Sequence, residues 1–327
     1  MLPFSRSTTR QLFIACLASF FSAATWASPL ATSPAAPTST PTLSSIDSLC
    51  REIGAKLGSV DTADCAGQQL VNGGGHSHQG RPLASKEYAP VEGRSPQGKV
   101  LLIGGIHGDE FSAVSIMFRW METLNQHHSG LFHWSVVPLL NPDGLLRKKS
   151  QRQNHKGVDI NRNFPTPDWD TLAQDYWVNR TYRNPRRFPG EAAASEPETR
   201  WLMERIKNFD PDAIIVVHAP HKLVDFDGPQ QPPLKLGNLH LRRLGVYPGS
   251  LGNYGGVHLG IPVVTVELAS AGIMPSKREI STMWTDLVRW LRKEIPTQQI
   301  AETDTDSGDE PADLAVGTTT AEVNALP

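Results

Sequence analysis

The sequence predicts an α/β sandwich around a mixed, largely parallel sheet, and three observations predict it. Short apolar runs recur along the body of the chain, helical patterns stand between them, and the chemically dense residues fall where the runs end. Runs that are apolar at consecutive positions suit strands covered on both faces.

The elements follow in order. Ile46, Leu49, Ile53 and Leu57 share one face of a short helical pattern. Lys99 to Gly105 is a continuous apolar strand candidate, and a helical pattern runs from Ser112 to Leu124. Phe132 to Leu140 is a second strand candidate, closed by the turn signal Asn-Pro-Asp-Gly. Ser195 to Lys207 reads as a helix capped by Ser195, with Pro197 in its first turn and Glu198 three residues after the cap. Asp212 to Val217 and Val263 to Leu268 are buried strand candidates. Ser276 to Lys293 is an amphipathic helix with Ile280, Leu287 and Trp290 on one face.

The ends of the chain differ from its body. Arg6 and Arg10 precede a mostly apolar run, Leu12 to Trp26, that ends in Ala-Thr-Trp-Ala-Ser. The run is short for a bilayer span, which needs about 20 residues. It reads as a signal peptide over residues 1–27, cleaved after Ala27, and so predicts a periplasmic or secreted protein without a stable membrane span once processed. An uncleaved N-terminal anchor is the alternative. Residues 28–44 have the Pro, Ser, Thr and Ala content of a disordered linker, and residues 298–327 that of a disordered acidic tail. Between them lie an N-terminal segment, 45–79, and a body, 80–297. Cleavage leaves Cys50 and Cys65, which an oxidising compartment is expected to pair. The formal net charge of −2 gives no electrostatic argument for a nucleic-acid partner.

His107 directly follows the first strand candidate, Glu110 comes three residues later, and His218 directly follows the third. Ligands bind at the carboxyl edge of open α/β sheets, so two imidazoles and one carboxylate could meet on one cation there. Such a set leaves a position open for water, the pattern of catalytic zinc. Glu267 closes an apolar strand where an unpartnered carboxylate would be costly, and a general base beside the metal explains that placement.

The motifs in series are Gly104 to Glu110 (GGIHGDE), Asn141 to Gly144 (NPDG), Gly157 to Phe164 (GVDINRNF), Ser195 to Thr199 (SEPET), His218, and Thr265 to Leu268 (TVEL). In this order the chain resembles the zinc metallocarboxypeptidase family along nearly the whole body. The resemblance implies a three-layer sandwich and assigns 80–297 as the catalytic domain. It implies zinc on His107, Glu110 and His218, with Glu267 as catalytic base. It implies Arg152 as the guanidinium facing the tetrahedral oxyanion, and Asn161 with Arg162 as the clamp for a substrate carboxylate. Arg147 is a rival for the oxyanion role. Neither Tyr247 nor Tyr254 sits in a motif matching the family's catalytic tyrosine.

Three stretches look most like the murein peptide amidase A branch: His218 to Pro229, Tyr247 to Gly252 and Gly260 to Leu268. The branch implies a muropeptide substrate cut between D-glutamate and meso-diaminopimelate. Asp225 and Asp227 could then receive the diaminopimelate ammonium, or could simply serve a turn. His221 is expected near the site, and His127, His128 and His155 away from it. The arginines 180, 183, 186 and 187 read as a solvated loop that could alternatively dock anionic polymer. Other functions share these residues: an exported carboxypeptidase, an amidohydrolase of N-acyl amino acids, or a zinc-free wall-binding protein.

Overall fold

The structure, a computed structural model, describes residues 44–295. The signal peptide, nearly all of the linker and the acidic tail lie outside the described residues. The chain opens with two short helices, α1 (Ile46–Lys56) and α2 (Thr62–Gly67). Ser45 caps the first through the Ser48 N–H, and Asp61 and Asp64 form a capping box on the second. A Cys50–Cys65 disulfide ties them together. Closing a loop of this size stabilises by about 3 kcal/mol through the unfolded chain.

Strands β1 (Val71–His76) and β2 (Pro82–Tyr88) follow, then β3 (Gly98–Ile103), α3 (Phe111–His127) and β4 (Phe132–Val137). Next come the single turn α4 (Pro142–Leu145), helix α5 (Pro197–Phe209), and strands β5 (Ala213–His218), β6 (Leu223–Asp227), β7 (Lys235–Leu236), β8 (Leu239–Leu241) and β9 (Val263–Glu267). Helix α6 (Lys277–Glu294) closes the described chain behind a Ser276–Glu279 capping box. The strands form one nine-stranded sheet in the order β1-β2-β4-β3-β5-β9-β6-β8-β7. The central four are mutually parallel, β2 and β6 run antiparallel to that centre, and the edges are mixed.

Alternation along the central strands makes the three layers. Val100, Leu102, Ala213, Ile215, Val217, Val264 and Val266 pack with α1, α3 and α6 on one face. Leu101, Ile103, Ile214, Val216 and Val263 pack with Leu202 and Ile206 of α5 on the other. Burial on both faces is why these strands read as unbroken apolar runs.

Five details differ from the sequence reading. β3 and β4 end at Ile103 and Val137: the Gly104 N–H makes the last bond, to the Val137 carbonyl, and the Gly104 carbonyl then accepts from Leu140 across the turn. His218 is the last residue of its strand rather than the residue after it. Glu196, not Ser195, occupies the N-cap of α5, and Ser195 instead donates to the Glu196 carboxylate. Asp225 and Asp227 lie within β6, not in a turn. The sheet also begins at Val71, within the segment 45–79, so the strands β1 and β2 join that segment to the body.

Candidate metal centre and its pocket

The parallel strands deliver the site at their carboxyl ends. His107 follows β3, His218 ends β5 and Glu267 ends β9. Glu110 is the residue before α3, on the turn that starts with His107. That turn sits flat on the Asn-Pro-Asp-Gly turn: a Cβ at Gly108 would lie 2.2 Å from the Gly144 carbonyl carbon, so only glycine fits.

Three electron-rich groups converge here. Nδ1 of His107 lies 3.0 Å from Nδ1 of His218, 2.8 Å from one Glu110 oxygen, and the other Glu110 oxygen lies 3.0 Å from Nδ1 of His218. All three residues are at most 5 % exposed. Two imidazole nitrogens and a carboxylate so close, and nearly buried, form a donor set that fits a divalent cation, and two His with one carboxylate suit zinc. Burial opposes ionisation of the Glu110 carboxyl, but His107 and His218 outweigh it and hold the carboxyl far below its ordinary range.

His107 is oriented from behind. Its Nε2 faces the Asp159 carboxylate at 3.2 Å, which fixes the tautomer that frees Nδ1. Asp159 is fully buried, and its other oxygen accepts from Arg152 Nε at 2.9 Å. Burial works against the ionised form of Asp159, and Arg152 and His107 more than offset it. Sequence reasoning quoted Asp159 within a motif and gave it no role. Its spacing before Asn161 and Arg162 was the available signal.

A pocket of about 230 Å³ opens on this centre. His107, Glu110, His218, Glu267, Arg152, Asn161 and Arg162 all line it. The Glu267 carboxylate accepts from the His221 N–H at 3.3 Å, and the His221 side chain also lines the pocket. Asn161 is held by accepting from the Leu251 N–H at 2.8 Å. Arg162 is 5 % exposed, stacks at 4.6 Å on the Tyr247 ring, and its Nε has no hydrogen-bond partner. Burial lowers its pKa to about 10, with Asp159 opposing and the nearby Arg152 and Arg187 adding to the shift. This is a dry cationic end suited to an anion.

The lining also carries acidic groups. Asp225 and Asp227 alternate on β6 and both line the pocket. Burial pushes Asp227 up to about 6, with Asp225 adding and Arg243 opposing. Arg187 and Tyr247 line the pocket as well; the sequence gives Tyr247 no motif that assigns it a role and reads Arg187 as part of a solvated loop. Tyr254 instead stacks on Phe164. Arg147 is exposed on its loop, as are His155 and Arg183, and Arg186 pairs with Asp109. A larger hollow of about 630 Å³ along Trp201, Glu204 and Arg205 contains none of these groups.

Residues 68–227 match the zinc carboxypeptidase family. Murein peptide amidase A of Escherichia coli strain K12 is 33% identical over 154 residues, covering 45% of this chain and 60% of that protein. Murein peptide amidase A of Vibrio campbellii is 29% identical over 153 residues, covering 46% and 58%. The chain thus spans about 60% of the length of these two relatives. The crystal structure of thrombin activatable fibrinolysis inhibitor superposes with a TM-score of 0.55 at 17% identity, covering 76% of this chain and 72% of that one. That likeness concerns the fold.

Proposed function

We propose, on the premise that residues 68–227 are a zinc carboxypeptidase stretch, that this chain hydrolyses an amide bond in cell-wall peptides. The observation that carries the reading is the convergence of His107, Glu110 and His218 in one pocket with Glu267 and Arg152. Bound zinc would supply acidification of water toward neutral pH and polarisation of a carbonyl oxygen. Glu267 would accept the proton of the attacking water and return it to the leaving amine. Arg152, fixed on Asp159, would donate to the oxygen that gains charge. Fixing the donor beforehand removes the cost of aligning it in the transition state.

Substrate choice follows from the two walls. Arg162 and Asn161 suit a carboxylate next to the scissile amide. Asp225 and Asp227 suit an ammonium group on the same residue. A residue with a free carboxylate and a free side-chain amine meets both, and diaminopimelate is such a residue. The names of the two relatives point the same way, so the bond proposed is the one between D-glutamate and meso-diaminopimelate. Export by cleavage near Ala27 belongs to the same proposal, and the Cys50–Cys65 disulfide supports it. Among the described residues no helix is long and apolar enough to cross a membrane. Mass spectrometry of the products from L-alanyl-D-glutamyl-diaminopimelate tests the reading: release of free diaminopimelate is expected, and an intact tripeptide would overturn it.

A further inference from the structure

A second set of ionisable groups lies outside the pocket. His78, Glu196 and Glu198 approach one another on the far side of the loop that carries Arg152 and Asp159. Their spacing resembles that of a metal site, but the oxygens face a donor. Asn154 Nδ2 donates to Oε2 of Glu196 at 2.7 Å and to Oε2 of Glu198 at 3.1 Å. An N–H pointing at both carboxylates takes the place a cation would need.

Asn154 is the knot of that loop. Its Oδ1 accepts from the N–H groups of Lys156 and Val158, which settles which side-chain atom is the oxygen. Its own N–H donates to the Val158 carbonyl, and its carbonyl accepts from Gly157 and from the Gln151 side chain. Gly157, at φ +80°, lets the chain turn back so sharply. The loop's two ends are then Arg152 and Asp159, paired at 2.9 Å. Two further bonds pin the Arg152 carbonyl, one from Gly108 and one from Asn141. Glu196 is itself held by His78 at 2.8 Å and by Ser195 at 2.7 Å. Glu198 is 0 % exposed, its Oε2 accepts from Asn154, and its Oε1 has no partner.

We propose that Asn154, anchored on the Glu196–Glu198 carboxyl pair, is the positioning residue that sets the Arg152 guanidinium for catalysis. It rests on the oxyanion role of Arg152 given above. Asn154 touches neither substrate nor metal ligand, so it acts through the loop. A small displacement of a catalytic group is enough to cost about 100-fold in rate. The surroundings contribute: α5 supplies Glu198 as an acceptor for the Asn154 side-chain N–H, and the β1–β2 turn supplies His78 to Glu196.

The experiment is a double-mutant cycle on the zinc-loaded full chain, with the diaminopimelate tripeptide as substrate. Asn154→Ala is expected to lower kcat about 10- to 100-fold, with KM and bound zinc little changed. In an Arg152→Lys background the same change is expected to cost less than about 3-fold, because the group it positions is already lost. Equal fold losses in both backgrounds would overturn the proposal, as would loss of zinc with the substitution. Should Asn154→Ala not fold, Glu198→Ala removes one of the two anchors and must show the same dependence on Arg152. A wild-type kcat in Arg152→Lys alone would instead remove the oxyanion role, a result readily told apart from additivity.

Discussion

His218 and Glu267 are register partners: they end the adjacent parallel strands β5 and β9 side by side. One strand pair therefore delivers an imidazole of the candidate metal centre and a carboxylate to the same edge, without relying on a flexible loop for either. Leu223 of β6 pairs with Glu267 from its other side. The Glu267 backbone is thereby held on both flanks, and its carboxylate accepts from the His221 backbone N–H. Glu267→Gln keeps this shape and removes the proton acceptor. Zinc content should stay near one per chain while kcat falls at least ~100-fold. Metal analysis beside the rate decides it, since joint loss of zinc and activity would make Glu267 structural.

The Asp159 carboxylate behind His107 leads to a metal prediction. Chelation should abolish hydrolysis and added zinc restore it. Asp159→Asn should weaken zinc binding by about 10- to 100-fold, because the imidazole loses the partner that orients it. Competition with a zinc-sensitive chelating dye measures this without any turnover. Unchanged affinity would leave Asp159 as a partner of Arg152 only.

Much of this site was legible in the sequence because chemistry and strand ends coincide. An apolar run that ends in His, or in Glu, marks a strand edge and a functional group at once. The strands β3, β5 and β9 were visible for the same reason, being buried on both faces. What was hidden lacks such runs. β1 reads Val-Asn-Gly-Gly-Gly-His, and its glycines resemble a loop. Two of them face Trp201, which lies against the strand: a Cβ at Gly73 or Gly75 would meet that ring within 2.5 Å, while Gly74 sits at φ +86°. β6 was hidden by its acids, since Leu-Val-Asp-Phe-Asp reads as a turn until the pocket supplies a reason for its carboxylates. Asp159 and Asn154 act through partners distant in sequence, which no local pattern records.

Burial of Glu198 predicts a pH dependence of stability. Burial pushes its carboxyl up to about 7, with Asn154 and His78 opposing and Asp143 adding. The folded pKa lies above the unfolded one, so between about pH 4.5 and 7 the folded state binds the extra proton. Stability from this group is then full below that window and falls as pH rises through it. The loss is on the order of 3 kcal/mol. Glu198→Gln mimics the protonated form and should flatten the slope. Denaturant titrations at pH 5 and pH 7.5 check it, and parallel slopes in both proteins would count against a neutral Glu198.

The acidic wall should read an ammonium group in a pH-dependent way. Burial raises Asp227 to about 6, so it gains its charge as pH rises through that value. KM for a substrate with a free side-chain amine should therefore increase as pH falls below about 6. A substrate acetylated on that amine should lack this rise. Asp227→Asn should raise KM for the free amine about 10-fold and leave the acetylated one nearly unchanged. Matching KM values for the two substrates in the unmodified protein would remove Asp225 and Asp227 from recognition.

Arg162 offers the same pocket a buried guanidinium whose Nε has no partner and whose face is covered by Tyr247. Arg162→Lys keeps the charge and loses both the planar two-point contact and the stacking. If the contact positions ground state and transition state alike, KM should rise by about 10- to 100-fold while kcat changes less. A substrate with that carboxylate amidated already lacks the contact, so the substitution should cost it much less. Measuring both proteins on both substrates closes a double-mutant cycle, with the coupling energy as its readout. Tyr247→Phe is the internal control, because it keeps the ring over the guanidinium and should leave the coupling intact. Equal losses on the free and amidated substrates would mean that Arg162 does not read this carboxylate, and Arg187, which lines the same cationic end, would become the residue to test.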